Sequence, residues 1–150
     1  MAESGKDVVN KIMKRYEDYT NYLRYPGDWG ERAFRFWLVM ELFHNYLKWP
    51  IDKIVFGERF DVLLINDEIK PVINIETKKP GVGSKSYSIF KNRIKDYQTL
   101  NYAVLTDGFD WLIYNCIDKI ETKFNTKKDE NFNEFIKPLS AKMYLYEVEK

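Results

Sequence analysis

The stretch that decides the fold is "PVINIETKKPG", residues 71–81, an apolar run that ends in charged residues. Side chains of a β-strand alternate between the two faces of a sheet. Ile75 and Thr77 are therefore predicted on one face, and Glu76 and Lys78 side by side on the other. The strand is thus expected to present a carboxylate and an ammonium group together at its carboxyl end.

The preceding segment, "RFDVLLIN" at residues 59–66, is predicted to be an antiparallel neighbour of this strand because turn-forming residues follow it. If the hairpin turns at positions 68 and 69, cross-strand partners have numbers that add to 137, which sets Asp61 opposite Glu76. Opposed residues have Cβ atoms about 4.5–5.5 Å apart. Two carboxylates at that distance repel unless a cation lies between them or one is protonated.

A divalent metal ion would resolve this repulsion. Asp61 and Glu76 offer oxygen ligands, which Mg²⁺ and Mn²⁺ prefer, and Lys78 is expected beside the metal-bound water. His44 and Cys116 are the single histidine and the single cysteine. Zinc sites built from these residue types are therefore excluded, as are Cys–His and Ser–His catalytic pairs.

The order of Asp61 followed by Glu76-Thr77-Lys78 resembles the catalytic signature of the PD-(D/E)xK nuclease superfamily. The longer pattern "IETKKPG…YAVLTDGFDWLIYN" is similar to the N-terminal nuclease domain of type I restriction enzyme R subunits. That likeness covers roughly residues 28–116. It implies an α/β, restriction-endonuclease-like fold with a mixed β-sheet flanked by helices, and Mg²⁺- or Mn²⁺-dependent hydrolysis of DNA, with endonucleolytic cleavage expected.

The resemblance also implies roles for individual residues. Asp61, Glu76 and the backbone carbonyl of Thr77 would be the metal ligands, Lys78 the catalytic lysine, and Glu31 the acid that completes the site. One departure concerns the helix after the triplet, where Arg93 stands in the position at which such domains often carry a glutamine. No helicase motor accompanies the domain in these residues, so ATP-driven translocation is not expected. The alternative is a catalytically inactive or assembly-dependent nucleic-acid-binding module of the same fold.

Each candidate residue also has a purely structural interpretation. Glu31 could complete a helix capping box with Asp28. Glu76 and Lys78 could form a surface salt bridge at the strand end. Asp61 could pair with Lys78 or with the arginine two residues before it. A protein with only a structural or interaction role is the third, weaker hypothesis.

DNA contact must depend on a local patch because the net charge is only +1. Residues 78–95 contain six basic residues and no acidic ones. The basic residues are Lys78, Lys79, Lys85, Lys91, Arg93 and Lys95. A phosphate backbone passing the carboxylates would meet them. The "GSKS" segment lacks both glycines of a phosphate-binding loop, so no nucleotide ligand is expected.

The totals and the order of elements favour one globular domain over residues 1–150, with 45% hydrophobic and 31% charged residues. With no signal peptide or membrane-spanning apolar run, we expect an intracellular, cytoplasmic protein without a membrane partner, and a homodimer is an open option. Helices are predicted over residues 4–23, 27–47, 87–100 and 130–139, and strands over 53–66, 72–78, 102–115, 119–124 and 142–149. Segment 53–66 is two short strands or one bent strand, and 102–115 is a hairpin about Asp107–Gly108.

Overall fold

The computed structural model describes residues 3–23, 29–57, 61–82, 87–94 and 100–146. Its described residues form a six-stranded sheet in which the strands lie in chain order. The strands are β1 (Ile54–Phe56), β2 (Val62–Ile65), β3 (Pro71–Thr77), β4 (Tyr102–Thr106), β5 (Asp110–Asn115) and β6 (Ile120–Asn125). Only the β3–β4 pairing is parallel. The predicted α/β class with a mixed sheet is confirmed.

The helices lie largely where the apolar periodicity predicts them. They are α1 (Gly5–Tyr22), α2 (Trp29–Trp37) with its π-helical continuation (Leu38–Tyr46), α3 (Tyr87–Ile94) and α4 (Phe132–Ile136), with short 3₁₀ turns at Ile51–Lys53, Lys137–Leu139 and Ala141–Met143. Ser4 and Asp7 form the predicted reciprocal capping box at the start of α1. No described helix has the length and apolar character needed to cross a membrane.

The helices cover the sheet unequally. Ile75, Val104 and Trp111 face the large core, which they share with buried residues of α1, α2 and α4. The other face carries a small cluster in which α3 packs on β4 and β5. That cluster consists of Phe90, Ile94, Ala103, Leu105 and Leu112. Because side chains alternate along β3, neighbouring residues of this strand point into different layers.

The predicted β2–β3 register is found over Val62–Leu64. Val62 pairs with Ile75 and Leu64 with Ile73, so partner numbers add to 137, and the register then shifts by one between Leu64 and Ile65, which pairs with Pro71. Since β3 and β4 run parallel, their carboxyl ends lie at the same edge of the sheet, where antiparallel β2 begins. This edge, made by the start of β2 and the ends of β3 and β4, is called the active edge below.

The edge strand predicted over residues 142–149 is wrong for its described part. Residues 141–143 form a 3₁₀ turn, and the Tyr144 hydroxyl donates to the Pro138 carbonyl at 2.9 Å. Tyr144 stacks on Trp49 at 5.8 Å between ring centroids, and Leu145 is buried. The alternating apolar residues therefore serve packing against the helical layer and not strand pairing. Residues 147–149 lie outside the described chain.

Candidate active site

Asp61 lies immediately before β2, and the same register continued by one residue sets it opposite Glu76. Its carboxylate oxygen Oδ2 accepts a hydrogen bond from the Thr77 backbone N–H at 2.8 Å. The carboxylate therefore reaches the peptide that joins Glu76 to Thr77. The Asp61 carboxylate thus lies beside the peptide group that follows Glu76, at the active edge.

Arg35 connects the predicted residues on the α2 side of the sheet. Its Nε donates to the Thr77 hydroxyl at 2.9 Å, and its Nη2 lies 3.3 Å from Asp61 Oδ1. The same Nη2 is 3.4 Å from Glu31 Oε1. Glu31 is therefore brought to the site through Arg35. Asp28, its predicted capping partner, lies outside the described residues.

Sequence reasoning missed Arg35, although one signal could have identified it. Glu31 and Arg35 are four residues apart on α2, which places their side chains on one face of the helix. If Glu31 belongs near the site, the residue one turn later belongs there too. Helix α2 therefore brings both a carboxylate, from Glu31, and a guanidinium, from Arg35, to the active edge.

Glu76 points into the opposite layer, towards α3. Its side chain is only 8% exposed, and its Oε1 pairs with the guanidinium of Arg93, which is 49% exposed. A carboxylate buried to this degree is costly unless a charge or hydrogen bonds compensate it. The alternative surface salt bridge between Glu76 and Lys78 is not among the ion pairs of the described residues, where Glu76 pairs with Arg93.

Lys78 follows the last residue of β3 and is half-buried. Its backbone N–H donates to the Thr106 carbonyl at 2.9 Å, which ties the chain to the end of β4. No described carboxylate lies within ion-pairing distance of its ammonium group. The ammonium group of Lys78 therefore has no described ion-pair partner at the active edge, two residues after Glu76.

Asp107 is a second residue that sequence reasoning missed at the site. The sequence predicted its place in the β4–β5 turn but not its contact with the segment after β3. It is buried, and its Oδ2 accepts from the Gly81 N–H at 3.2 Å. Its Oδ1 accepts from the Phe109 and Asp110 N–H groups at 3.0 and 2.8 Å. The aspartate of the β4–β5 turn thus holds the segment that follows Lys78. Such side-chain contacts to nearby backbone are the usual reason for aspartate in turns.

Tyr87, the first residue of α3, lies near this turn. Burial raises the pKa of its phenol, and the carboxylates of Asp110, Asp107 and Glu121 raise it further. The Lys123 ammonium lies 5.0 Å from the centre of its ring. The phenol therefore stays protonated at neutral pH and is a hydrogen-bond donor, not a base.

The predicted DNA contacts fall into different environments. Lys79 is exposed beyond the end of β3, whereas Arg93 is paired with Glu76. Lys91 pairs with Glu121 of β6 at 2.9 Å, so it points along the sheet and away from β3. Lys85 and Lys95 lie outside the described residues. Among the predicted contacts that the structure describes, Lys79, Lys91 and Arg93 are all exposed, and Lys91 and Arg93 already have carboxylate partners.

Asn74 is an unexplained polar residue beneath the site. It precedes Glu76 by two positions on the same face of β3 and is 2% exposed. Its side-chain Nδ2 makes no hydrogen bond within the described structure. Buried amide donors are normally paired, so this one needs a reason.

The donor chemistry of the active edge suits a hard cation. Mg²⁺ is usually bound through one or two carboxylates and keeps several waters, and Asp61 and Glu76 are the carboxylates nearest the Thr77 peptide in the register of β2 and β3. Within the described ranges, no three Asp, Glu, His or Cys side chains are grouped as a metal site. Arg35 and Arg93 supply positive charge next to the two carboxylates.

No protein-family model, curated protein or solved structure matches this chain. A function for it must therefore be argued from the chemistry of the active edge.

Proposed function

We propose that this chain is a metal-dependent nuclease of restriction-endonuclease-like fold that hydrolyses phosphodiester bonds in DNA. The observation that carries the proposal is the hydrogen bond from the Thr77 N–H to the Asp61 carboxylate at 2.8 Å, beside the buried Glu76. Buried ion pairs can often be replaced by apolar residues without loss of stability. Two acids with arginine partners at one sheet edge are therefore better explained by chemistry than by folding.

Each residue of the active edge then has a role. Asp61 and Glu76, with the Thr77 carbonyl, would hold Mg²⁺ or Mn²⁺. The bound ion supplies a Lewis acid for a phosphate oxygen and a water of lowered pKa. Lys78 keeps a positive charge where a hydroxide and a phosphate would carry negative charge, which stabilises the transition state. Glu31 acts indirectly, because it orients Arg35, which in turn contacts Asp61.

DNA would lie across the active edge on the α3 side. The basic segment that begins at Lys78 supplies its phosphate contacts: Lys79, Lys85, Lys91, Arg93 and Lys95. Such contacts release counterions, so DNA affinity is expected to fall steeply with salt concentration. We propose endonucleolytic cleavage, with a homodimer as the arrangement that would cut both strands.

A second candidate function is a nucleic-acid-binding module without turnover of its own. The observation that favours it is that each of the two carboxylates has an arginine as its ion-pair partner. The charges of such a site are compensated by the protein's own side chains. This module would bind DNA in the same salt-dependent way and leave it uncut.

The deciding experiment incubates the purified protein with Mg²⁺ or Mn²⁺ and with supercoiled, linear and single-stranded DNA and RNA. We expect the wild type to cut DNA, and Glu76→Gln and Lys78→Gln to lose at least about 100-fold of that rate, because each removes a charge from the reacting centre. Lys142→Gln, on the 3₁₀ turn Ala141–Met143, is a charge-matched control that should cut normally.

Two results would contradict the nuclease. One is a wild type that cuts none of these substrates, and the other is a Glu76→Gln protein that cuts as fast as the wild type. Salt-dependent DNA binding without cleavage would support the second candidate function, the nucleic-acid-binding module.

A further inference from the structure

We propose that Arg93 has two alternative partners, the Glu76 carboxylate without metal and a DNA phosphate when metal is bound, so that it couples metal binding to DNA binding. The inference rests on the proposed function, since it concerns the same carboxylate. It adds a regulatory property that the nuclease chemistry does not require.

The first step concerns the charge on Glu76. The side chain is 8% exposed, and Arg93 is its ion-pair partner in the described structure. A buried carboxylate needs a neutralising cation, and a divalent ion would supply positive charge at the same oxygens. The guanidinium and the metal ion would repel each other if both contacted the Glu76 carboxylate. Metal bound at Glu76 therefore displaces Arg93.

The second step concerns where Arg93 can go. It is the next-to-last residue of the eight-residue helix α3, and half of its side chain is exposed. Arg35, by comparison, is 23% exposed and contacts Thr77, Glu31 and Asp61 together. Arg93 can thus rotate into solvent without breaking other described contacts, whereas Arg35 cannot.

The third step concerns what a released Arg93 binds. A guanidinium presents several N–H donors in a fork that matches the oxygens of a phosphate. Freed beside the active edge, Arg93 lies near the phosphate that is being cut. Because couplings between two ligands are reciprocal, metal raises DNA affinity by the same factor by which DNA raises metal affinity.

The first test is a calorimetric titration of Mn²⁺ into the full chain without DNA. We expect Arg93→Gln to bind Mn²⁺ about tenfold more tightly than the wild type, because the competing cation is gone. Lys91→Gln removes the same charge two residues away, but its partner is Glu121. It should change Mn²⁺ affinity by less than about twofold, since exposed charges are screened by salt.

A second variant controls for the effect of unfolding on the measured affinity. Arg93→Lys keeps a cation over Glu76, and it should fold and bind Mn²⁺ with nearly wild-type affinity. Equal Mn²⁺ affinity in wild type and Arg93→Gln, with both proteins folded by circular dichroism, would overturn the inference.

The second test measures the coupling itself. Fluorescence anisotropy gives the affinity for a short DNA duplex with and without Ca²⁺, which prefers oxygen ligands as Mg²⁺ does. Ca²⁺ should raise DNA affinity about tenfold in the wild type and less than about threefold in Arg93→Gln, which has lost the released phosphate ligand. The same enhancement in both proteins would overturn the coupling.

Failure of this inference can be distinguished from failure of the nuclease. A wild type that cuts DNA but shows no Arg93-dependent coupling refutes the inference alone. A wild type that shows the coupling but never cuts refutes the nuclease alone. Absence of Glu76-dependent Mn²⁺ binding refutes both.

Discussion

Asp61 and Glu76 are adjacent acids with the same kind of partner, but the two pairs are built differently. Asp61 is fixed to the backbone of β3 through the Thr77 N–H, and Arg35 joins it to Glu31 and to the Thr77 hydroxyl. Glu76 is more deeply buried, at 8% exposure, yet its arginine reaches it from the surface. One pair belongs to a hydrogen-bonded network, and the other is a single contact between helix and sheet.

This difference separates structural from functional charge. Several hydrogen bonds in a partly buried network make Arg35 costly to remove, because each lost donor leaves an unsatisfied partner. Arg93 compensates only one carboxylate and remains half in water. We therefore expect the Asp61 half of the site to behave as a fixed anchor and the Glu76 half to respond to ligands.

The largest expected effect tests what the two acids share. Asp61→Asn and Glu76→Gln keep the shape of the side chain and remove its charge, so each should reduce DNA cleavage at least about 100-fold. The measurement is the initial cleavage rate with Mn²⁺. Glu121→Gln, an acid on β6 that pairs with Lys91, is the matched control and should cut normally. Loss of activity with only one of the two variants would show that the acids do not act as a pair.

The next effect separates the arginines by stability. Arg35→Met should lower the free energy of unfolding by about 2–3 kcal/mol, because Asp61, Glu31 and the Thr77 hydroxyl lose their shared donor. Urea denaturation followed by circular dichroism measures this loss. Added Mn²⁺ should not reverse it, since no metal restores the bond to Thr77. Arg32→Met, an exposed arginine on the same helix, should cost less than about 0.5 kcal/mol.

Arg93 is expected to give the opposite response to metal. Arg93→Gln should lower the free energy of unfolding by about 1 kcal/mol without metal, the typical size for a half-exposed pair over a buried acid. Saturating Mn²⁺ should restore stability, because binding to the folded state alone stabilises it. The same urea experiment with and without Mn²⁺ measures both effects. If Mn²⁺ rescued the Arg35 variant and not this one, the comparison between the two halves would be wrong.

The sequence predicted the parts of this site that depend on local pattern. Alternation along β3 and turn residues after β2 gave the register over Val62–Leu64, which continued by one residue sets Asp61 opposite Glu76, but not the shift between Leu64 and Ile65. The Asp107–Gly108 turn was predicted for the same reason, with Gly108 at a positive φ of 93°. Local chemistry limits each of these choices to a few alternatives.

The arginine partners could not be predicted in this way. Arg35 meets Thr77 across 42 positions of sequence, and Arg93 reaches Glu76 from a helix whose placement depends on packing against Leu105 and Leu112. Charge alone had suggested Lys78 as a partner for Glu76, and either Lys78 or the arginine two residues earlier as a partner for Asp61. The failed strand over residues 142–149 has a related cause, because alternation does not reveal that Tyr144 will stack on Trp49.

The smallest expected effect concerns Asn74, which lies beneath the Glu76 half of the site. Its Nδ2 has no hydrogen-bond partner in the described structure, and an unsatisfied buried donor is unfavourable. Asn74→Leu should therefore change the free energy of unfolding by less than about 1 kcal/mol. The Nδ2 group that it removes makes no hydrogen bond, and the new side chain has a similar size. Urea denaturation of the metal-free protein measures this change.

A functional role for Asn74 would show in a different measurement. If its amide donates to Glu76 once Arg93 has left, Asn74→Leu should weaken Mn²⁺ binding while metal-free stability stays the same. Asn74→Asp would add a negative charge two residues from Glu76 on the same face of β3, and it should destabilise the metal-free protein far more than Asn74→Leu. Unchanged Mn²⁺ affinity in Asn74→Leu would show that Asn74 is a packing residue. The site would then consist of the fixed Asp61 half and the ligand-responsive Glu76 half.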